Sequence, residues 1–387
     1  MNAVDGHPQR AIQFALLLTA GLAASMSYGV TLPLLPGIVE AMAGNGGSVA
    51  RQTGWLTAAY TVALFAFSPI WGWLSDRVDR RWVMVAGLLG AALSLRALEA
   101  ATSLEGVYVA RIAAGAVTAA VLPAVLAHVA QTTALEKRQR RFAWVASATA
   151  LGFLLGPVAA SAAPMLTASL SGLQLVSAVC VLAAAAAAGV RQAEEERGAV
   201  AVTSGAPPPE TEGMGLALSL TFAVVFGITV AEVGLTLQGG TVAPYFALCS
   251  FLMVAMQLAG YPVLERWLGE HRLVIAALSF MAVGVALLAL RERWAPAAAF
   301  VLAASALGVL IPALAVRISA GAGRRQGRAM GRQAAASNLG QAGGAAVTGV
   351  LFAMATPAPF LLAGSLLAAA AVVAARRRRG FETVSRP

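Results

Sequence analysis

The sequence predicts an all-α integral membrane protein, with twelve transmembrane helices in two pseudo-symmetric six-helix halves. Three observations carry that expectation. Of 387 residues, 59% are hydrophobic and only 11% charged, where soluble domains are roughly a quarter charged, and mean hydropathy is +0.77. The apolar residues fall in continuous runs of about 20, the length of a spanning helix, not in the alternating pattern of a membrane barrel. The chain also repeats itself at a spacing near half its length. This composition excludes a soluble enzyme. Two cysteines, Cys180 and Cys249, cannot build a disulfide framework, and each sits in an apolar run where a thiol behaves as a small hydrophobe.

Taken in order, the apolar runs place spans at about 11–35, 54–74, 82–100, 105–128, 142–163 and 166–189. Six more follow at 215–237, 241–262, 273–290, 295–316, 333–355 and 358–375. The first run is too long for a cleaved signal peptide and ends in the Pro33/Pro36 pair. Between spans 6 and 7, the segment RQAEEERGAVAVTSGAPPPETEG combines a charge run, small residues and three consecutive prolines, so it reads as a flexible linker. The expected organisation is therefore a six-helix half over 1–190, a cytoplasmic linker over 191–213 and a second six-helix half over 214–387.

The net charge of +10 is not a nucleic-acid footprint, because the cations cluster in the short breaks between apolar runs. Counting Arg and Lys, 22 fall at the chain ends and in the even-numbered connections, among them Lys137, Arg138, Arg140, Arg141 and Arg317, whereas Arg51, Arg291 and Arg293 occupy the odd ones. That asymmetry places both termini and the linker in the cytoplasm, with the protein in the inner (cytoplasmic) membrane.

The repeat is specific. Asp76-Arg77 after span 2 corresponds to Glu265-Arg266 after span 8, and Pro123 in span 4 to Pro312 in span 10, both at an offset of 189. Leu151-Gly152 and Gly156 in span 5 correspond to Leu339-Gly340 and Gly344 in span 11 at an offset of 188. A duplicated six-helix unit is the layout of a parallel-repeat transporter with its site at the interface between halves.

Over its whole length the chain resembles the major facilitator superfamily. GWLSDRVDRR, Gly72 to Arg81, resembles that family's signature loop G-x-x-x-D-R-x-G-R-R, with Asp79 where the signature has its second glycine. The resemblance implies a charge cluster of Gly72, Asp76, Arg77, Arg80 and Arg81 that latches the halves in an outward-facing state. Physically, Asp76 suits the positive end of a neighbouring helix, and the arginines suit acids or helix C-termini. Arg111-x-x-x-Gly115 in span 4 resembles the motif associated with proton coupling. Gly152-x-x-x-Gly156-Pro157 in span 5 resembles the antiporter element, with Ala159-Ala160 in place of two further glycines. Together these imply a twelve-span drug/proton antiporter-like exporter.

Arg96 and Glu99, Arg111 and Glu232 are the ionisable groups at membrane depth. Such charges are costly unless they face the bundle interior. Arg96 and Glu99 are spaced i, i+3 and can pair with each other; Glu232 is the one acid deep in span 7 and is the candidate proton-coupling carboxylate, with Arg111 at a similar depth in span 4 as the candidate coupling cation. His128 falls at the end of span 4, where an imidazole can cap carbonyls. Glu40 and Glu105 fall at the periplasmic surface. Polar candidates for the substrate cavity are Gln13, Ser27, Tyr28, Tyr60, Gln257, Asn338 and Gln341.

No G-x-x-x-x-G-K-[ST] run, metal-ligand cluster or nucleophile–base arrangement occurs. The expectation is thus a non-enzyme without metal, cofactor or catalytic residues, a monomer whose partners are a small-molecule substrate, protons and the lipid bilayer. The leading function is proton-coupled export by alternating access. The alternative is export of an anionic metabolite such as a siderophore or metallophore, favoured because span 1 has no acid. A nutrient importer and a non-transporting receptor rank lower.

Overall fold

The computed structural model describes residues 6–43, 46–166, 171–190, 212–237, 249, 251–290, 292–323 and 325–377. The linker at 191–213 lies, but for its last two residues, outside this range, as does the first part of span 8. The first sequence half forms α1 (Gly6–Gly29), α2 (Thr31–Ala43), α3 (Gly46–Leu74), α4 (Arg80–Ala100), α5 (Leu104–Thr118), α6 (Val121–Thr132), α7 (Leu135–Leu166) and α8 (Gly172–Ala188). The second forms α9 (Glu212–Leu237), a π-turn (Met256–Gly260), α10 (Tyr261–Leu268), α11 (Glu270–Leu287), α12 (Ala295–Ala320), α13 (Gln326–Met354) and α14 (Ala358–Arg376). No strand occurs among the described residues.

Among the described residues nine helical stretches are long and apolar enough to cross a membrane, from Ala11–Met42 to Ala358–Arg376. Two more expected spans are helical as well. α8 is short and apolar, and α13 carries two arginines in its first turns, which dilute its hydropathy. Span 1 is built from α1 and α2 in succession and runs past both prolines: Pro33 falls in the first turn of α2, where no bond is forfeited, whereas Pro36 lies inside the helix and removes its bond to the Leu32 carbonyl. Span 4 is likewise two helices, interrupted at Ala119–Ala120 just ahead of Pro123.

The largest departures from the sequence reading are at helix ends. Lys137 to Arg141 belong to α7, Arg328 and Arg332 to α13, and Arg317 to the last turn of α12, not to connections. Apolar length marks the hydrocarbon-crossing part alone. Long cationic side chains extend the helix beyond it with their charged heads in a polar layer.

The chain divides into two compact units. One comprises Met1–Ala134, Ala148–Thr203 and Arg324–Ala334; the other comprises Leu135–Ser147, Ser204–Gly323 and Ala335–Pro387. Within the first, α4 packs on α5 and α8, and α8 on α1. Within the second, α11 packs on α12 and α14, and α14 on α9. These are the same pairings in repeat order: third helix with fourth and sixth, sixth with first.

The small residues of the repeat act at matching places. In the first unit, a Cβ at Gly152 would strike Leu22 O, and one at Gly156 the backbone of Gly29 and Val30, so the fifth span lies directly against the first. In the second, Gly340 and Gly344 meet the Phe222 and Phe226 carbonyls in the same way. Close backbone approach of this kind is how helices associate without a hydrophobic drive between them.

Candidate functional site

The loop after α3 is built around Asp76. Oδ1 accepts from Gly327 N at 2.7 Å and Oδ2 from Arg328 N at 2.9 Å. These amides lie in the first turn of α13, where backbone donors have no intrahelical partner, and the carboxylate meets the positive end of the helix dipole. The bond joins positions 251 residues apart within the first unit. Gly72 makes it possible. Its Cα faces the Gly327 carbonyl and Gly331, so a Cβ at any of the three positions would collide with backbone. Gly327-x-x-x-Gly331 is a small-residue pair the sequence reading passed over, although its spacing is legible.

Arg80 is the first residue of α4 and is buried. It pairs with Asp76 at 3.1 Å and donates to Gln131 Oε1 at the end of α6. His128, also buried, lies near Arg80 and Asp79. Asp79 caps α4, accepting from Arg81 N at 3.1 Å, and pairs with Arg81 Nε at 2.7 Å. Its φ of −56° needs no glycine, so this departure from the signature leaves the turn intact. Arg77 stacks over Trp73 at 3.6 Å.

Arg111 lies one turn before Gly115, and Gly115 is held against Tyr60 O, where a Cβ would collide. That contact brings α5 onto α3 and sets the guanidinium 4.4 Å from the Tyr60 ring centre and 5.8 Å from that of Tyr28. The two rings stack at 4.8 Å. Arg111 Nη1 donates to Thr31 Oγ1 at 2.9 Å; Thr31 was missed in the sequence, having no charge or motif to mark it. Arg111 is 1% exposed. A cavity of about 10 Å³ lies here, lined by Arg111, Tyr60 and the hydroxyl-bearing Ser27, Thr31, Ser94 and Thr118.

In the second unit, Glu232 is partly buried on α9, beside the buried Cys249 thiol. Cys249 packs with Leu235, Phe300 and Ala304. Gln257 is buried in the π-turn and accepts from Ser147 Oγ at 2.7 Å; π-turns are frequent at functional positions. Asn338 and Gln341 are half-buried on α13. Gln13 donates to Gly189 O, tying α1 to the end of α8, and Ser27, which lines the cavity at Arg111, donates to Ala24 O one turn back. Arg96 and Glu99 pair as expected, and Glu99 also accepts from Ser171 Oγ at 2.6 Å. Unforeseen in the sequence is a buried ion pair, Arg317 Nε to Glu270 Oε1 at 2.9 Å, with Tyr261 close by. Among the described residues no three His, Cys, Asp or Glu gather closely enough to hold a metal ion.

Residues 17–213, just over half the chain, match the sequence model of the Major Facilitator Superfamily. "Multidrug resistance protein 2" of Bacillus subtilis is 26% identical over 376 residues, 92% of each chain. "Tetracycline resistance protein, class C" of Escherichia coli is 34% identical over 160 residues, 39% of this chain and 40% of that one. Among solved structures, the human organic anion transporter MFSD10 (TETRAN) superposes with a TM-score of 0.75 over 94% of this chain and 99% of that one, at 20% identity. A bacterial homologue of the iron transporter ferroportin, in the outward-facing state, gives 0.65 over 96% and 99%, at 15% identity. Both likenesses establish the fold.

Proposed function

The chain belongs to the Major Facilitator Superfamily, and from that premise we propose that this multi-pass membrane transporter is a proton-coupled exporter of a small molecule, a drug or a metabolite, working by alternating access. The similarity to multidrug and tetracycline resistance proteins supports export of drug-like substrates. The observation that carries the reading is Asp76 capping the first turn of α13. A carboxylate held by two backbone amides from the other sequence half is a contact that can be made in one conformation and released in another. Gly72, Arg77, Arg80 and Arg81 support that latch.

Glu232 is the proposed proton carrier, with Arg111 as the cation of the coupling machinery. Gly152, Gly156 and Pro157 supply the tight packing of span 5. Tyr28, Tyr60, Gln257, Asn338 and Gln341 are the candidate substrate contacts. Both termini are proposed to be cytoplasmic, with two six-helix halves over 1–190 and 214–387 and the protein acting as a monomer.

The deciding experiment uses reconstituted vesicles under an imposed pH gradient. Glu232→Gln keeps the shape and a hydrogen-bonding head but cannot release a proton. Downhill substrate exchange is expected to survive in this variant, and uphill, gradient-driven transport to fail. Uphill transport at the wild-type rate would place the proton site elsewhere. Export of an anionic metabolite is a second reading, and one observation favours it: the cation Arg111 is buried, and among the described residues no carboxylate is bonded to it.

A further inference from the structure

We propose that the cavity at Arg111 is a binding site for a compact monovalent anionic group, either a free halide or the carboxylate end of a solute. Arg111 is charged at any physiological pH, and it is buried to 1% exposure. A buried charge is destabilising unless it is paired and its hydrogen-bonding capacity is used. Yet among the described residues its side-chain hydrogen bond goes to the neutral Thr31 hydroxyl. Its Nε and Nη2 have no hydrogen-bond partner among the described residues. The Tyr60 and Tyr28 rings offer their π faces, which attract a cation without neutralising it.

The space beside the guanidinium fits that deficit. The cavity, about 10 Å³, has room for roughly one water-sized body. Its polar lining is Arg111, the Tyr60 phenol and four hydroxyls, and no acidic residue is among its lining. An anion seated there would take the two unused guanidinium N–H groups, and charge-assisted bonds of that kind are about twice as strong as neutral ones. The other buried arginine pairs of the protein make the contrast. Arg80 has Asp76 and Arg317 has Glu270, so each of those cations carries its counter-ion in the chain. Arg111 takes its own from solution or substrate. The site belongs wholly to the first unit, and it stands apart from the export reading, since binding is measured with no gradient and no transport.

The test is thermal unfolding of the purified full-length protein in detergent, in a gluconate buffer titrated with sodium chloride, sodium bromide or sodium acetate at constant ionic strength. A ligand that binds the native state alone raises the melting temperature in a saturable way, here by roughly 2–4 °C. Saturation by chloride and bromide, with acetate inert, identifies a halide site; saturation by acetate, with the halides inert, identifies the seat of a solute carboxylate. Either shift must vanish in Arg111→Gln. Ala114→Val, which narrows the same cavity and leaves every charge in place, must weaken it at least tenfold in midpoint, and this variant decides the matter if Arg111→Gln does not fold. No saturable shift with any of the three salts, or a shift undiminished in Ala114→Val, overturns the proposal.

Discussion

Where the third helix of each repeat begins and the fourth ends, the two halves of the protein use opposite charge arrangements. In the first repeat the third helix starts with a cation, Arg80, facing His128 and the neutral Gln131 at the end of α6. In the second it starts with an anion, Glu270, facing Arg317 at the end of α12. His128 and Arg317 stand at the repeat offset of 189, so the same backbone position carries a buried imidazole in one copy and a guanidinium in the other. The consequence is a difference in what is left over. Glu270 and Arg317 form an ion pair at 2.9 Å with 10% and 5% side-chain exposure, a buried clamp closed within one repeat. In the first repeat Arg80 shares Asp76 with the backbone amides of α13, so the acid of that corner reaches a distant segment. One corner holds its own repeat together; the other also bonds the start of α13.

The largest expected effect comes from breaking the clamp. Arg317→Leu leaves the Glu270 carboxylate buried without its cation and is expected to lower stability by about 3–5 kcal/mol, read as a lower melting temperature and reduced yield of folded protein. Adding Glu270→Leu removes the stranded charge, and the double variant is expected to recover most of the loss. A double variant as unstable as the single one would mean that the two side chains are not coupled.

The first corner should respond the other way round. Asp76→Asn keeps one acceptor oxygen for the α13 amides but removes the charge that meets the helix dipole. Stability is expected to fall by about 1–3 kcal/mol, because the buried Arg80 loses its counter-ion but keeps Gln131 and an amide oxygen as acceptors, while transport per folded molecule in vesicles falls roughly tenfold or more, the size of effect a 1.4 kcal/mol shift in a conformational equilibrium produces. If the variant loses folded protein in proportion to transport, Asp76 serves the fold rather than a conformational step.

How much of this contrast could be read from the sequence follows the physics of each element. Spanning helices, the repeat and the signature loop were legible because they are recorded in apolar length, offset and local spacing. The site residues that belong to short motifs, Asp76, Arg80, Arg111 and Gly115, were legible for the same reason. Thr31, Gln131 and the Glu270–Arg317 pair were not. Each is defined by a partner tens of residues or more away and carries no local pattern, and Arg317 even counted as part of a charged connection because a hydropathy window ends where its helix does not. Asp76's two partners on α13, being backbone amides, have no side-chain signature at all; only the glycines at 327 and 331 betray the close approach.

Glu265 offers a pH test of the second corner. It lies beyond the eighth span, and burial, with the nearby Glu270 as a further cause, raises its carboxyl above the ordinary glutamate value of 4.5. The folded state therefore holds a proton over a window in which the unfolded chain does not. Stability contributed this way is present in full below about pH 4.5 and is lost as pH rises through the raised value. Glu265→Gln removes that loss. The variant and the wild type are expected to melt alike at the acid end and to separate above it, the variant being the more stable. Identical profiles across the range would show that the carboxyl is not held protonated by its surroundings.

The smallest effect sharpens the first corner by separating its cap from its latch. Asp79 stands where the signature has glycine, at φ −56° and ψ 121°, a conformation any residue adopts, so glycine is not needed for the turn. What Asp79 adds is a side-chain acceptor for Arg81 N at the start of α4, together with an ion pair to an Arg81 that is 30% exposed. Loss of an N-cap costs about 1 kcal/mol when the replacement is Ala and only a few tenths when it is Gly, whose open backbone lets water solvate the freed amides. A partly exposed ion pair adds about 0–1 kcal/mol. Asp79→Ala should therefore lower the melting temperature by a few degrees at most, Asp79→Gly by less, and neither should change the transport rate per folded molecule, because the bonds from Asp76 to α13 remain. If Asp79→Gly instead cripples transport at normal stability, Asp79 belongs to the latch itself, and the division of this corner into a cap on α4 and a releasable hold on α13 is wrong.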